Sequence, residues 1–212
     1  MKVFYFFVIT LTRLIFKVFY GMRVYGREHY FKGGAILAPN HVSYFDPPIV
    51  AAASPENIHF LARETLFRSW FGKMIAALNA HPVQGQVNNL KAIKTICGLL
   101  KKGYKVILFP EGTRSNDNTL GEIKPGIGML VSRSETAIIP VYIHGTFKIW
   151  PRSRKFPRLF GRTAVVFGSP IHWEDYTDMD KKEAQEHIAH RLVSALEELR
   201  KWYESGAEGN PP

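Results

Sequence analysis

Asn40-His41-Val42-Ser43-Tyr44-Phe45-Asp46-Pro47 places an imidazole and a carboxylate five residues apart. On a regular helix that spacing turns the two side chains about 140° away from each other, so contact between them requires an intervening turn. The Asp46-Pro47 pair supplies the signal for one, with Asp46 near a helix N-terminus and Pro47 at its first position. A carboxylate hydrogen-bonded to one ring nitrogen fixes the tautomer. The other nitrogen is then available to take a proton from a hydroxyl, the work of a general base. Asp46 also suits a plain helix cap, and one carboxylate can do both. The second group is Phe109-Pro110-Glu111-Gly112-Thr113-Arg114-Ser115, directly after an apolar run. Gly112 permits close backbone approach, Thr113 and Ser115 offer hydroxyls, and Arg114 offers a planar fork suited to phosphate. Lys124, in Ile123-Lys124-Pro125-Gly126, adds a second cation. The chain has no G-x-S-x-G elbow, so Ser43 reads as a turn residue rather than a nucleophile.

Elements that could position these groups follow from the hydrophobic pattern. Short apolar runs at 35–38, 58–62, 105–109, 138–143 and 164–167 read as strands, several of them continuous as in strands buried on both faces. Helical stretches at 70–78, 88–101, 127–132 and 181–203 alternate with them, and Gly103 stops the second. The expected fold is a single α/β domain with a mixed, largely parallel sheet flanked by helices. Its boundaries are 25–204, preceded by an N-terminal segment 1–24 and followed by a disordered tail 205–212. In such sheets ligands bind at the carboxyl ends of strands, where both chemical groups fall.

Residues 3–22 are rich in aromatic and branched side chains, but Arg13 and Lys17 interrupt the run, which disfavours a plain transmembrane span. Lys2 and Arg13 fall within about 20° of each other on a helical wheel, with Lys17 about 40° further round. A narrow basic stripe beside a broad apolar surface predicts a helix lying in the interface of an anionic membrane; packing on the protein's own core and a tilted, snorkelling span are the other readings. Lys and Arg outnumber Asp and Glu by 28 to 18, giving a net charge of +10 and favouring a polyanionic partner. Aromatics are concentrated near the N-terminus rather than interleaved with cations, so no nucleic-acid partner is expected. Arg152, Arg154, Lys155, Arg158 and Arg162 form a basic loop suited to membrane phosphates or to a donor's phosphates. Cys97 is the only cysteine, which excludes an intrachain disulfide and fits a cytosol-facing protein. It reads as a small buried hydrophobe, and His187 and His190 read as a solvated helix face rather than a metal site.

Taken together, in this order and about 65 residues apart, the two motifs resemble those of the PlsC-type 1-acylglycerol-3-phosphate acyltransferases, within the wider lysophospholipid and glycerolipid acyltransferase family. The resemblance spans roughly residues 25–173. His41 and Asp46 match the family's H-x4-D motif, residues 109–115 match its F-P-E-G-T-R-S motif, and Ile139-Pro140-Val141 is similar to its V-P-V segment. The resemblance implies that His41 is the base and Asp46 its orienter, and that Glu111, Gly112, Thr113 and Arg114 bind the glycerophosphate acceptor. It further implies direct acyl transfer from acyl-CoA or acyl-carrier protein to lysophosphatidic acid, without metal or other cofactor, on the cytoplasmic face of the membrane by a peripheral or monotopic protein. One departure stands out. Where the family has an arginine for the acceptor phosphate, Ala80-His81-Pro82-Val83-Gln84-Gly85 offers Gln84 and Gly85. Such a loss costs about 1.5–3 kcal/mol per charged hydrogen bond. Arg63, Arg114 and Lys124 are cations able to compensate. A lysophosphodiester or lyso-ornithine acceptor therefore stays open, as does a non-catalytic membrane-binding role.

Overall fold

A computed structural model describes residues 2–83, 90–124 and 126–212. In chain order the helices are α1 (Lys2–Tyr20), α2 (Asp46–Ala53), α3 (Trp70–Ala77), α4 (Leu90–Lys101), α5 (Gly126–Ser134), α6 (Thr146–Ile149) and α7 (Lys181–Glu204). The strands are β1 (Arg23–Tyr25), β2 (Ala35–Pro39), β3 (Ile58–Arg63), β4 (Ala80–Val83), β5 (Lys105–Ile107), β6 (Ala137–His144) and β7 (Ala164–Phe167). They form one sheet in the order β1-β7-β6-β2-β5-β3-β4. Strands β6, β2, β5, β3 and β4 are mutually parallel, while β7 pairs antiparallel with β6 and parallel with β1. The expected mixed, mostly parallel sheet is therefore present, with a reversed flank.

Strands β2, β6 and β7 read as near-continuous apolar runs because helices cover both faces. Leu37, Ile107, Ile139 and Phe167 face a core shared with α1 and α2. Their neighbours Ile36, Val106 and Ile138 face a second core under α4, α5 and α7. The ends of these helices are chemically marked. Asp180 caps α7 by accepting from the backbone N–H of Lys182 at 2.9 Å, and Gly103, at φ 82°, closes the turn after α4.

Three sequence expectations shift. The strand expected over 105–109 ends at Ile107, although the Leu108 N–H still donates to the Leu37 carbonyl at 2.9 Å. The boundary at 24/25 falls inside β1, a three-residue strand too short to show a pattern. The tail 205–212, expected as disordered, folds back on the domain. The Ser169 N–H donates to the Pro212 carbonyl at 3.0 Å, and Trp202 Nε1 donates to the Glu208 carbonyl at 2.9 Å. Residues 88 and 89 of the expected helix 88–101 lie outside the described residues.

α1 combines both readings of its sequence. One face is docked: Tyr5, Phe16 and Tyr20 are buried, and the Tyr5 hydroxyl accepts from the Ile58 N–H at 3.0 Å. The other is apolar and open to solvent, with Val3, Phe6, Phe7, Leu14 and Val18 more than half exposed. Val3–Tyr20 is long and apolar enough to cross a membrane by length and composition, yet its docked face ties it along the domain. The expected basic stripe is divided. Arg13 turns inward, its Nε donating to the Ala52 carbonyl at 2.7 Å and Nη2 to the Ser54 carbonyl at 3.1 Å, while Lys17 stays exposed. Arg13 thereby satisfies carbonyls at the carboxyl end of α2, where a cation is favoured by the helix dipole. Arg13→Ala should lower stability by about 1–3 kcal/mol and speed proteolytic release of α1. Thermal unfolding and limited trypsin digestion would check this.

Candidate active site

The carboxyl end of β2 delivers the first motif. Asn40 anchors it to the next strand: its Oδ1 accepts from the Ile143 N–H at 2.7 Å and its Nδ2 donates to the Ile143 carbonyl at 3.2 Å. The chain then turns tightly, and Asp46 Oδ2 accepts the N–H groups of Val42 and Ser43, both at 2.7 Å. The same oxygen meets His41 Nδ1 at 2.8 Å, and Oδ1 accepts the Thr146 hydroxyl at 2.7 Å. Asp46 has no exposed side-chain surface, whereas His41 keeps 16% of its own. Asp46 is the first residue of α2 rather than its cap, and Pro47 and Pro48 follow it in the first turn. Its carboxylate serves the preceding turn, not the N-terminus of its own helix. With Nδ1 committed, Nε2 is the ring atom without a hydrogen-bond partner among the described residues, and Phe109 stacks on the imidazole at 3.8 Å between centroids. The arrangement holds one tautomer and one ring plane, and presents a single proton acceptor at the rim of the sheet.

The second motif reaches the same place from β5. Glu111 is 6% exposed, and both its oxygens are used: Oε1 accepts the His41 N–H at 2.8 Å and Oε2 the Gly121 N–H at 3.1 Å. The Ser115 N–H donates back to the His41 carbonyl at 2.8 Å. Burial pushes the Glu111 carboxyl up to about 7, against the opposing pull of its two backbone donors; the nearby Asp46 carboxylate adds a smaller upward push. The family resemblance implies that Glu111 binds the acceptor; in the fold its two oxygens hold the backbone N–H groups of His41 and Gly121. Arg114 lies flat on the Tyr44 ring, Cζ 3.7 Å from its centre, with Nη1 buried and unpartnered among the described residues. Gly112, at φ 72°, adopts a left-handed turn whose missing Cβ leaves room for Lys124, since a Cβ there would come within 3.1 Å of its Nζ. Thr113 and Lys124 are exposed at this rim, and Arg63 is exposed at the carboxyl end of β3.

Two residues that hold the His41–Asp46 turn carry no local sequence signal. Thr146 stands 100 residues beyond Asp46, with nothing local to mark it. Trp150 accepts both the Ser43 hydroxyl at 2.8 Å and the Tyr44 N–H at 3.2 Å on its carbonyl. Gln84 and Gly85, the departure noted in the sequence, and Pro125 lie outside the described residues. Cys97 is half-buried, with its thiol pushed up by burial. His187 pairs with Glu183 at 3.8 Å on an exposed helix face.

An imidazole held by a buried carboxylate and an arginine-bearing turn, set at the carboxyl ends of parallel strands, lie where ligands bind in open α/β sheets. The sequence pattern of the Acyltransferase family matches residues 21–144, more than half of the chain. The chain belongs to this family and is an acyltransferase. It is 27% identical over 182 residues to the 1-acyl-sn-glycerol-3-phosphate acyltransferase of Bacillus subtilis (strain 168), covering 84% of this chain and 88% of that one. It is 28% identical over 162 residues to a chloroplastic 1-acyl-sn-glycerol-3-phosphate acyltransferase of Arabidopsis thaliana, covering 74% of this chain but 45% of the plant protein. The fold is similar to the crystal structure of the 1-acyl-sn-glycerophosphate acyltransferase PlsC from Thermotoga maritima, with a TM-score of 0.70 at 23% identity, over 90% of this chain and 80% of that one.

Two outcomes follow from the geometry. Thr146→Val leaves one oxygen of a fully buried carboxylate without its donor, at a cost of about 1–3 kcal/mol; turnover should fall several-fold with KM little changed, as measured by steady-state kinetics beside a thermal melt. For Glu111, the folded carboxyl holds its proton up to about 7 while the ordinary value is 4.5. Between those values the folded protein binds the extra proton, so this group's contribution to stability falls as pH rises through that window. Glu111→Gln should remove that slope from melting temperatures recorded across the window.

Proposed function

We propose that this acyltransferase moves a fatty acyl group from acyl-CoA or acyl-carrier protein to the free hydroxyl of lysophosphatidic acid, forming phosphatidic acid. The observation that carries the reading is the His41 ring, held by Asp46 through Nδ1 at 2.8 Å with Nε2 open. Nε2 takes the acceptor's hydroxyl proton as its oxygen attacks the thioester carbonyl; the C–O bond forms, the C–S bond breaks, and the imidazolium returns the proton to the departing thiolate. No acyl-enzyme and no metal enter these steps. Asp46 holds the ring and offsets the charge that develops on it.

Arg114 supports a phosphate-bearing acceptor. A guanidinium set on Tyr44 with Nη1 buried and unpartnered among the described residues is an incomplete ion site, since a buried donor is unfavourable until an acceptor meets it. Lys124 beside Gly112, and Thr113 at the exposed rim, add a cation and a hydroxyl on the same side. Glu111 acts as a positioning residue, fixing the backbone of His41 rather than touching substrate. The names of the Bacillus and Arabidopsis relatives supply the same acceptor. The exposed apolar face of α1 supports a monotopic placement at a membrane surface, where lysolipids reside, and the single cysteine supports its cytoplasmic face.

Thiol release from acyl-CoA and acyl-carrier protein, measured against lysophosphatidic acid, other lysophospholipids and lyso-ornithine lipid, tests the reading. Lysophosphatidic acid should be the preferred acceptor, and His41→Ala should lower turnover by about 10²–10⁴-fold while donor binding survives. Activity with another lysolipid alone would move the acceptor and keep the base. Near-normal turnover of folded His41→Ala protein would remove His41 from the chemistry. Silence with every pair, from protein that binds vesicles, would favour a non-catalytic membrane role.

A further inference from the structure

From residue 136 to residue 173 the chain carries no acidic side chain, and within 151–162 it carries Arg152, Arg154, Lys155, Arg158 and Arg162. The same loop exposes Phe156, Leu159 and Phe160 at 69%, 64% and 66% of their surfaces. Apolar groups of that size are ordinarily buried, and a short loop that shows three together marks a contact surface. Its backbone is fixed from several sides. The Arg158 N–H donates to the Ile149 carbonyl at 3.0 Å, Trp150 Nε1 to the Arg154 carbonyl at 3.2 Å, and the Tyr20 hydroxyl to the Arg158 carbonyl at 3.1 Å. The apolar side chains are therefore presented outward by a built scaffold.

The loop also continues a surface already described. The Gly161 N–H donates to the Phe19 carbonyl at 3.2 Å, and Phe160 stacks on Phe19 with centroids 5.9 Å apart. The exposed aromatic face of α1 thus runs into the loop without a break. At its other end the loop springs from Trp150, whose carbonyl holds Ser43 and Tyr44 and whose ring packs on Tyr44 and Phe45, each at 5.0 Å. One end touches the apolar helix, the other the turn that carries His41 and Asp46.

We propose that the 151–162 loop is a second membrane-inserting element, its apolar side chains entering an anionic bilayer and its cations meeting the lipid phosphates, so that loop and α1 together orient the His41 site toward the lipid surface. A single helix lying in the interface leaves the domain free to roll about the helix axis; a second contact beside the catalytic turn removes that freedom. Charge decides the kind of surface: five cations without a counter-charge in the loop fit anionic headgroups. The inference rests on the monotopic reading of α1.

The test uses the full chain with vesicles of phosphatidylcholine alone or mixed with phosphatidylglycerol. Phe156→Ser/Leu159→Ser should lower partition into mixed vesicles at least about tenfold, with melting temperature unchanged because neither side chain is packed. Arg152→Gln/Lys155→Gln/Arg158→Gln should lower it by about fivefold per cation on mixed vesicles, and little on neutral ones. An environment-sensitive fluorophore on Phe156→Cys, in a Cys97→Ser background, should shift to the blue when mixed vesicles are added. Wild-type binding that survives both sets of changes, with the fluorophore still in water, would overturn the proposal while leaving α1 as an anchor. A raised KM for acyl-CoA in the arginine variant with unchanged partition would overturn it too, assigning the cations to the donor's phosphates. Failure of the wild-type chain to bind any vesicle would sink the loop proposal and the monotopic reading together.

Discussion

A carboxylate wholly removed from water must have its lone pairs met by donors, and Asp46 meets that demand by gathering three separate pieces of backbone and side chain around itself. Two N–H groups of the turn after β2, one ring nitrogen of His41 and the hydroxyl of Thr146 converge on its two oxygens. The turn cannot open without stranding that charge, and Thr146 cannot leave without pulling at the ring. The orientation of the base is thus a by-product of a buried charge seeking partners. Low local dielectric strengthens each of these bonds and makes their loss correspondingly costly.

A second ring of contacts holds the first in register with the sheet. Asn40 pins the end of β2 to β6, Glu111 pins the backbone of His41 to the turn after β5, and the carbonyl of Trp150 pins Ser43 and Tyr44 to the segment after α6. All lie at the carboxyl ends of parallel strands, where the chain leaves the sheet and is free to turn. Arg114 and Lys124 stand outside this ring: Arg114 keeps a buried Nη1 without a partner among the described residues, and Lys124 is exposed at the rim. The two carboxylates of the site, Asp46 and Glu111, both hold the turn that carries His41.

α1 shows how one amphipathic pattern can serve two surfaces. Its buried Tyr5, Phe16 and Tyr20 belong to the core, Arg13 caps α2, and the remaining apolar residues face outward. A helix wheel sees a broad apolar arc and a narrow basic one. It cannot see that part of the apolar arc and Arg13 of the basic one are taken up by the domain itself while Lys17 is left exposed, because that depends on where α2 ends.

The α/β alternation, the continuous strands of a sheet covered on both faces and the two motifs at strand ends are all legible in the amino-acid sequence, since each is written in local periodicity and spacing. The five-residue separation of His41 and Asp46 forces a turn between them, because no regular helix brings such a pair together. Tertiary structure alone decided that Glu111 serves the backbone, that Thr146 completes the carboxylate, and that the tail 205–212 returns to the domain. Thr146 and Asp46 are 100 residues apart, and their contact exists because β6 lies beside β2. Short segments such as β1 left no readable period. Long-range pairing, not residue type, fixed those outcomes, and pairing across a sheet is set by the packing of the whole chain.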